Sequence, residues 1–269
     1  STLFPYTTLF RSGRRNTESA LSSAVAQAST DAGNPTVITV TKDITLTEEL
    51  EIPEGCSVHL KGSDSGVTLS PRSAFRGAQS SSGEDGTAVI GVKGNLTIST
   101  LSVSGGSVMR VMTVGSKGNV TLDDGATVKN GMLGMGTQNE GAGIGLYGTM
   151  TIQTGAAVTD NIIKGKYAKN NQYSGSDSSV EGIGIYVGTK ASLLMTGGTI
   201  SENKDQTTQT TRKSGSGGGI YLNGSMASFR MTGGSIRNNT AYGGGGGIYS
   251  DRGKVDADQI GRASCRERV

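Results

Sequence analysis

The sequence predicts an all-β protein, a single-stranded right-handed parallel β-helix with a short N-terminal capping helix. The first observation behind this prediction is a repeat: residues 216–239 recur in weakening form at 182–203, 143–161 and 114–130, and a fifth copy begins at 246. A period of roughly 30 to 40 residues is typical of solenoids, propellers and arrays. The second observation is composition, because 44 glycines and a hydrophobic content of 33% suit a solenoid with many turns and a thin core.

The third observation is the pattern inside each repeat. Residues 220–222, 228–231 and 235–236 are short apolar runs separated by Gly or Asn. None alternates long enough for a hairpin meander, and none has the helical spacing of about 3.6 residues. Three short strands per turn are what a parallel β-helix requires. Gly-Gly precedes both Thr199 and Ser235, which predicts a positive φ at these corners because glycine has no Cβ.

Asparagine recurs at the corners that end the repeats, at Asn130, Asn161, Asn203 and Asn239. We predict that Asn161, Asn203 and Asn239 form a structural turn ladder. In such a ladder each side-chain amide stacks on the next and satisfies buried turn groups. The alternative is that these asparagines are ordinary turn formers with local hydrogen bonds.

Residues 13–30 are predicted to form the capping helix, which begins after Asn16 or Thr17 and continues to about residue 28. The helix should cover the open end of the first coil, because unpaired strand edges invite aggregation. Its apolar face consists of Leu21, Ala24, Val25 and Ala28.

The β-helix is predicted over residues 31–259, in roughly eight to ten coils that each rise by one strand spacing. Residues 62–66 and 71–86 have the composition of turns or loops. Residues 164–179 and 204–215 are predicted to be polar insertions, which a solenoid accommodates as loops on one side. Strands before the clear repeats are predicted at 36–40, 44–46, 50–52, 57–60, 67–69, 89–92, 96–98, 101–103 and 108–114.

The two ends of the chain are interpreted as artefacts. Residues 2–12 read TLFPYTTLFRS, and residues 260–269 read IGRASCRERV. Back-translated, the two segments are reverse complements of each other over their shared length, and they resemble a widely used sequencing adapter. We therefore assign residues 1–12 and 260–269 to translated adapter and the chain to a metagenomic or draft-genome fragment.

Setting these ends aside changes the charge and the cysteine count. The formal net charge of +3 falls to about zero, because the first tail contributes +1 through Arg11 and the second contributes a net +2. No basic excess then indicates nucleic acid or an anionic membrane as a partner. Cys265 belongs to the second tail, and Cys56 alone makes no internal disulfide.

The motifs that suggest enzymatic chemistry are weak. Gly143, Gly145 and Gly148 match GxGxxG, but a strand-like run follows where a dinucleotide site needs a helix. A lyase on this scaffold needs several carboxylates around calcium, and a glycosidase needs two flanking the scissile bond. The available carboxylates do not recur from coil to coil, so only irregular loops could bring them together. The candidates are Asp123, Asp124, Asp160 and Glu181.

His59 is the only histidine, and its apolar neighbours Val58 and Leu60 place it on the outward face of a strand. A lone histidine builds neither a zinc site nor a Ser-His-Asp system. The sequence therefore predicts no catalytic residue, no metal site and no cofactor.

Tyrosines recur at one place in successive repeats, at Tyr147, Tyr186, Tyr221 and Tyr249, which predicts an aromatic column along the solenoid. Two roles are open for it. An exposed row would bind sugar rings, whereas a half-buried stack would stabilise the solenoid, which is the commoner outcome. A second candidate surface is the Lys- and Tyr-rich insertion, with Lys164, Lys166, Tyr167, Lys169 and Tyr173.

The opening helix, then TVITVTKDITLTEELEIPEGCSVHLKG, then GGIYLNGSMASFRMTGGSIRNNTAYGGGGGIYS, resembles the right-handed β-helix regions of large bacterial surface proteins. These are the adhesin-like, pectate-lyase-like repeat proteins common in gut Firmicutes. The resemblance covers nearly all of residues 15–253. It implies secretion, cell-wall attachment, and a stalk or a surface that contacts glycans or host proteins.

The function expected from the sequence is a non-enzymatic extracellular module, structural or adhesive, that is monomeric and does not insert into a membrane. One alternative is a fragment of a β-helix polysaccharide lyase or glycoside hydrolase. A third possibility is an autotransporter passenger.

Overall fold

The structure is a computed structural model that describes residues 7–8, 17–75, 87–134, 140–164, 180–206 and 215–257. Over these residues the chain is an all-β, right-handed parallel β-helix, as the repeats predicted. One helix, α1, spans Glu18–Ala26. The strands are β1 Thr7–Thr8, β2 Thr36–Val40, β3 Ile44–Leu46, β4 Leu50–Ile52, β5 Ser57–Gly62, β6 Thr68–Pro71, β7 Ile90–Val92, β8 Asn95–Ser99, β9 Ser102–Ser104, β10 Met112–Val114, β11 Asn119–Leu122, β12 Thr127–Lys129, β13 Met132–Gly134, β14 Ile144–Leu146, β15 Thr149–Ile152, β16 Ala157–Thr159, β17 Ile162–Lys164, β18 Ile185–Val187, β19 Ser192–Met195, β20 Thr199–Ser201, β21 Lys204–Asp205, β22 Ile220–Asn223, β23 Ser228–Met231, β24 Ser235–Arg237, β25 Ile248–Asp251 and β26 Lys254–Ala257.

Each coil contributes one strand to each of three long sheets. Sheet 1 has the order β1-β2-β5-β8-β11-β15-β19-β23-β26, sheet 2 the order β24-β20-β16-β12-β9-β6-β3, and sheet 3 the order β25-β22-β18-β14-β10-β7-β4. Neighbouring strands run parallel, and each pairs with the strand at the same place in the next coil. The described ranges complete seven coils and begin an eighth with β26, fewer than the eight to ten expected, because insertions lengthen several coils.

The core is a column of aliphatic side chains stacked coil upon coil. In sheet 2, for example, one register position holds Val103, Val128, Val158, Ile200 and Ile236, and none of them is more than 3% exposed. In each strand, the residues before and after this core residue have side chains on the outer face, as the alternation of a β-strand requires. Each coil therefore buries its apolar surface against its two neighbours, and stability accumulates along the axis.

The capping helix forms at the N-terminal end as predicted. Thr17 is the N-cap, and its side chain accepts a hydrogen bond from the backbone N–H three residues later. Leu21 and Val25 are each 2% exposed, and Ala24 and Ala28 pack against the same core. Because α1 contacts β3 and β4 of the first coil, it covers the end of the solenoid.

The glycine corners also follow the prediction. Gly198 and Gly234 have φ angles of 74° and 91°, in the left-handed region. At Gly198 a Cβ would lie 2.6 Å from the carbonyl oxygen of Ala156, in the coil below. These corners thus need glycine both for its backbone conformation and for the close approach of the neighbouring coil.

The prediction of three strands in every coil was wrong for three of the later coils. A fourth strand lies between sheets 2 and 3 there, and β13, β17 and β21 form a small parallel sheet, sheet 4. Lys164 ends β17 and Lys204 begins β21, so both lie in strands and not in the predicted insertions. The sequence did not reveal β13, β17 and β21, because each of these strands contributes few buried apolar side chains. Sheet 4 and its surroundings form a second apolar cluster of Leu133, Ala142, Ile163, Val180 and Ile183.

The first tail makes one short pairing, in which Thr7 and Thr8 lie beside Val37 and Ile38 of β2. The rest of both predicted adapter segments, and residues 13–16, lie outside the described residues. None of the helices in the described ranges is long and apolar enough to cross a membrane.

Candidate functional site

The candidate site is the outer face of sheet 3, where the predicted tyrosine column lies. Tyr186, Tyr221 and Tyr249 pair in register in β18, β22 and β25. The neighbours of Tyr186, Ile185 and Val187, belong to the core, so the rings lie on the other face of the sheet. Ring centroids are 6.0 Å apart between Tyr186 and Tyr221 and 5.1 Å apart between Tyr221 and Tyr249, with interplanar angles of 11° and 12°. The three rings form a stack along the solenoid axis.

Tyr147 does not share this register position, contrary to the prediction. The residue that pairs with Tyr186 is Gly145, and Tyr147 lies two residues further along the chain. Its ring reaches back towards Tyr186, with centroids 5.7 Å apart and planes tilted by 51°. The error arises because GAGIG has glycine at every second position, and a two-residue shift leaves the inward and outward faces unchanged.

A buried arginine occupies the space above Gly145. A Cβ on this glycine would lie 3.2 Å from the guanidinium of Arg110, which is 0% exposed. Arg110 Nε donates to the carbonyl oxygen of Gly141 at 3.0 Å, and Nη1 donates to Thr113 Oγ1 at 3.2 Å. Nη2 donates to the carbonyl oxygen of Glu140. Burial lowers the pKa of Arg110, and the nearby Glu140 carboxylate opposes this shift.

Two glutamates from neighbouring coils lie beside the rings. Glu140 and Glu181 are half-buried and pair with each other as a parallel β-bridge. The hydroxyl of Tyr147 donates to Glu140 Oε2, and the hydroxyl of Tyr221 donates to the carboxylate of Glu181. Burial raises the pKa of Glu181, the hydrogen bond from Tyr221 lowers it, and the charge of Glu140 raises it further. Burial also raises the pKa of both tyrosines, so their phenols remain protonated donors.

Glu49 lies at the N-terminal end of the same sheet, just before β4. Its Oε1 accepts the backbone N–H of Ala88 at 3.1 Å and lies over Gly91, where a Cβ would be 2.6 Å away. Burial raises the pKa of Glu49 to about 7. The Ala88 hydrogen bond and the charge of Arg110 oppose that shift, whereas the charge of Glu51 adds to it.

Sequence reasoning did not identify Arg110, Glu140 or Glu49 as site residues. A signal for Glu140 was present, because EGAGIG at residue 140 recurs as EGIGIY at Glu181. No repeat marks Arg110, which enters the site from the connection before β10.

The asparagine ladder lies at the corner after sheet 2. Asn161 Nδ2 donates to Asn203 Oδ1 at 2.8 Å, and Asn203 Nδ2 donates to Asn239 Oδ1 at 2.8 Å. The same two oxygens accept the backbone N–H groups of Asn161 and Asn203, at 3.2 and 3.0 Å. Asn161 and Asn203 are both 0% exposed. Each of these amides therefore joins two coils and satisfies a backbone group at the corner.

Asn130 lies outside this ladder, although it ends the weakest repeat. Gly131 holds the corresponding place, and its N–H donates to Asn161 Oδ1 at 2.8 Å. Asn130 belongs instead to the row of residues that directly precede the ladder position in each coil and have φ angles between 54° and 57°. That row is Asn130, Asp160, Glu202 and Asn238.

The remaining predicted carboxylates are corner residues away from sheet 3. Asp123 Oδ1 accepts the backbone N–H of Asp124 at 2.8 Å, at the turn before Gly125. Asp160 is exposed, and its Oδ2 accepts the hydroxyl of Thr159 at 2.9 Å. Of the four predicted carboxylates, only Glu181 lies beside the tyrosines of sheet 3.

His59 is half-buried on the outer face of sheet 1, where its Nε2 lies 2.7 Å from Ser99 Oγ. Burial lowers the pKa of His59. Gly143, Gly145 and Gly148 surround β14, and the next element is the strand β15. Within the described ranges, no group of three or more His, Cys, Asp or Glu residues could hold a metal ion.

Of the insertion residues, Lys164 is exposed at the end of β17. The others lie outside the described residues: Lys166, Tyr167, Lys169 and Tyr173.

Three chemical features lie together on one face: a buried guanidinium, a pair of half-buried carboxylates, and a row of tyrosines. Hydroxyls of these tyrosines donate hydrogen bonds to the carboxylates. Exposure rises along the stack, from 2% at Tyr186 to 6% at Tyr221 and 37% at Tyr249. Tyr186 and Tyr221 are thus enclosed, whereas Tyr249, in the last described strand of this sheet, is partly exposed.

Comparison of the chain with protein-family models, with curated proteins and with solved structures gives no match. The fold and this face define its class, a parallel β-helix solenoid whose coils are joined by ladders of side chains.

Proposed function

We propose that the chain is a non-enzymatic structural module of a bacterial cell-surface protein, a rigid segment whose outer faces contact glycans or host proteins. One observation carries this proposal. The side chains that the sequence offers as ligand-facing bond within the same solenoid: Tyr147 donates to Glu140 of its own coil, Tyr221 donates to Glu181 of the preceding coil, and Tyr186 lies enclosed between other rings.

We expect the solenoid to be rigid, because the tyrosine contacts and the asparagine ladder both run along its axis. Between β14 and β25, backbone pairing and ring contacts join successive coils, and the asparagine ladder adds side-chain hydrogen bonds at another corner. Bending the axis would separate stacked rings and break amide hydrogen bonds together. At one strand spacing per coil, seven coils extend about 34 Å along the axis.

The surface of sheet 1 supports a role in contacting polar polymers. Asn119 Nδ2 donates to Asn95 Oδ1 at 3.4 Å, and Thr149 Oγ1 donates to Asn119 Oδ1 at 2.8 Å. This row offers uncharged amide and hydroxyl groups at a regular spacing, which suits hydroxyl-rich partners. The extracellular location rests on the sequence resemblance to β-helix regions of surface proteins.

The proposal is tested with the purified full chain. We expect no depolymerisation of pectin, alginate, cellulose or chitin when reducing ends and unsaturated products are measured. We also expect single-molecule pulling to give stepwise, high-force unfolding of the coils. Depolymerisation of any of these polymers would overturn the proposal, as would uniform unfolding at low force.

A carbohydrate-active enzyme is the second candidate, and the pairing of Glu140 with Glu181 favours it. Two carboxylates in neighbouring coils, one with a raised pKa, resemble the division between acid and base that glycosidases use. This candidate predicts that Glu140→Gln and Glu181→Gln each abolish activity on a polysaccharide, whereas the exposed turn variant Asp124→Asn retains it. An inactive wild-type chain on the whole panel would reject it.

A further inference from the structure

The outer face of sheet 2 carries two in-register rows of short hydroxyl side chains. They lie directly before and after the core position that Val128 and Ile200 share, so both rows face away from the core. The first row, from β6 to β24, is Thr68, Ser102, Thr127, Ala157, Thr199 and Ser235. The second row, from β9 to β24, is Ser104, Lys129, Thr159, Ser201 and Arg237. Hydroxyl groups therefore dominate this face.

Two of these hydroxyls lie deep in the face and have no protein partner among the described residues. Ser102 is 5% exposed and Ser201 is 8% exposed, and neither hydroxyl makes a hydrogen bond within the described ranges. Ser104 differs, because its Oγ accepts the backbone N–H of Gly106 at 3.1 Å. A buried hydroxyl without a protein partner is satisfied by ordered water. Ser102 and Ser201 therefore anchor water in the two rows.

The spacing of the rows is close to that of oxygen atoms in ice. Neighbouring residues of one row are one strand spacing apart, about 4.8 Å. In ice, two oxygens bonded to a common third oxygen at the tetrahedral angle lie about 4.5 Å apart, given an O–H···O distance of about 2.75 Å. The difference accumulates to about 1.5 Å between the first and last strands of the row, which is less than half of one ice spacing.

The second dimension of the array is also close to the ice lattice. The two rows are two residues apart along each strand, about 6.6 Å, against about 7.3 Å for the perpendicular repeat of ice. Ser235 Oγ and Thr199 Oγ1 are 3.5 Å apart, which is a weak contact. A hydroxyl has one donor and two acceptor positions, so both groups retain capacity for water.

The residue types of the two rows favour an ordered water lattice over a polymer. Neither row has an aromatic ring on which a sugar could stack, and neither has the Tyr, Trp or Met typical of protein interfaces. The β-branched threonines hold few χ1 rotamers, so little side-chain freedom is lost at a lattice. Lys129 interrupts the second row, but its long aliphatic stem lets the amine extend away from the surface.

From this array of hydroxyls we propose that the outer face of sheet 2 binds ice. Water anchored at Ser102 and Ser201 joins the threonine hydroxyls in one hydrogen-bonded layer that continues into the ice surface. This activity goes beyond the structural role proposed above and does not depend on it.

The test is nanolitre osmometry on the full chain, which measures the gap between melting and freezing temperatures and shows the shape of the ice crystals. We expect the wild-type chain to open such a gap and to give faceted crystals. Thr127→Lys should abolish both, because a long charged side chain in the middle of the first row displaces ordered water. Lys129→Thr should widen the gap, because it completes the second row between β9 and β20.

The matched control is Thr121→Lys, which places the same charge at a half-buried outward position of sheet 1 in the same coil. It should leave the gap unchanged. Circular dichroism establishes that each variant is folded. Sedimentation with crystalline cellulose and chitin is measured in parallel, and we expect no binding that depends on Thr127.

Absence of a gap with the folded wild-type chain would overturn the proposal, and so would a gap that survives in a folded Thr127→Lys variant. Loss of the gap in Thr121→Lys would place the ice contact on sheet 1 and overturn the assignment to sheet 2. Binding to cellulose or chitin that Thr127→Lys abolishes would assign the face to a polysaccharide instead. The pulling experiment reports on the rigid module independently, so the two proposals fail separately.

Discussion

Replacing Asn203 with alanine removes the centre of the asparagine ladder. The side chain of Asn203 donates to Asn239 Oδ1 at 2.8 Å and to the carbonyl oxygen of Val158 at 3.2 Å. It accepts the side-chain and backbone N–H groups of Asn161 at 2.8 and 3.2 Å. The position is 0% exposed, so water does not replace these partners without opening the corner.

The size of the effect follows from those four hydrogen bonds. Each buried partner left unsatisfied costs about 1 to 3 kcal/mol, and the losses do not add fully because neighbouring groups rearrange. We expect Asn203→Ala to lower the free energy of unfolding by about 4 kcal/mol. Asn239→Ala should cost about half as much, because Asn239 is only half-buried at the last coil of the ladder and water reaches it.

The assay is guanidinium denaturation followed by circular dichroism and by tyrosine fluorescence. Asn238→Gly is the matched control: Asn238 adjoins the ladder, is exposed, and has a φ of 55° that glycine adopts freely. Its midpoint should correspond to a change within about 0.5 kcal/mol. A loss below about 1 kcal/mol for Asn203→Ala, or a greater loss for Asn239→Ala, would refute the claim that the amides satisfy buried groups.

Three further predictions concern charge, backbone and core. The pKa of Glu49 rises from 4.5 to about 7 on folding, so the folded state binds the extra proton and stability should fall as pH rises through this window. Glu49→Gln should remove that dependence and, at pH 8, stabilise the protein by about 1 to 3 kcal/mol in thermal unfolding; an unchanged pH profile would contradict it. Gly198→Ala should cost about 2 kcal/mol more in denaturant than Gly55→Ala, because both glycines have positive φ but only Gly198 meets neighbouring backbone; equal losses would count against the close approach. Ile200→Ala should lower stability by about 3 kcal/mol, and the outward Leu194→Ala by much less; similar values would mean that the core column is wrongly placed.

Local patterns in the sequence were enough to predict much of the architecture. The strand bounds Thr36–Val40, Ile44–Leu46, Leu50–Ile52 and Ser228–Met231 agree with those expected. Strands of this length bury every second residue against the same neighbours in each coil, so a short apolar run identifies both the strand and its inward face. The helix cap at Thr17 and the left-handed glycine corners depend on local backbone chemistry and were predicted for the same reason.

Register and long-range convergence needed the tertiary structure. The shift of Tyr147 by two residues is invisible to a pattern with period two, and only the pairing of Gly145 with Tyr186 reveals it. Arg110 meets Glu140 because an irregular connection before β10 brings them together, and no repeat in the sequence encodes that meeting.

The sequence by itself determined that this chain is a β-helix with a capped N-terminal end and glycine and asparagine corners, because each of those features depends on a few adjacent residues. The tertiary structure alone decided which tyrosine lies over which, and that Arg110 and Glu140 join Glu181 on one face. Those outcomes depend on how far one coil is displaced along the next. That displacement is set by contacts between residues about 30 to 40 positions apart, which is the length of one repeat.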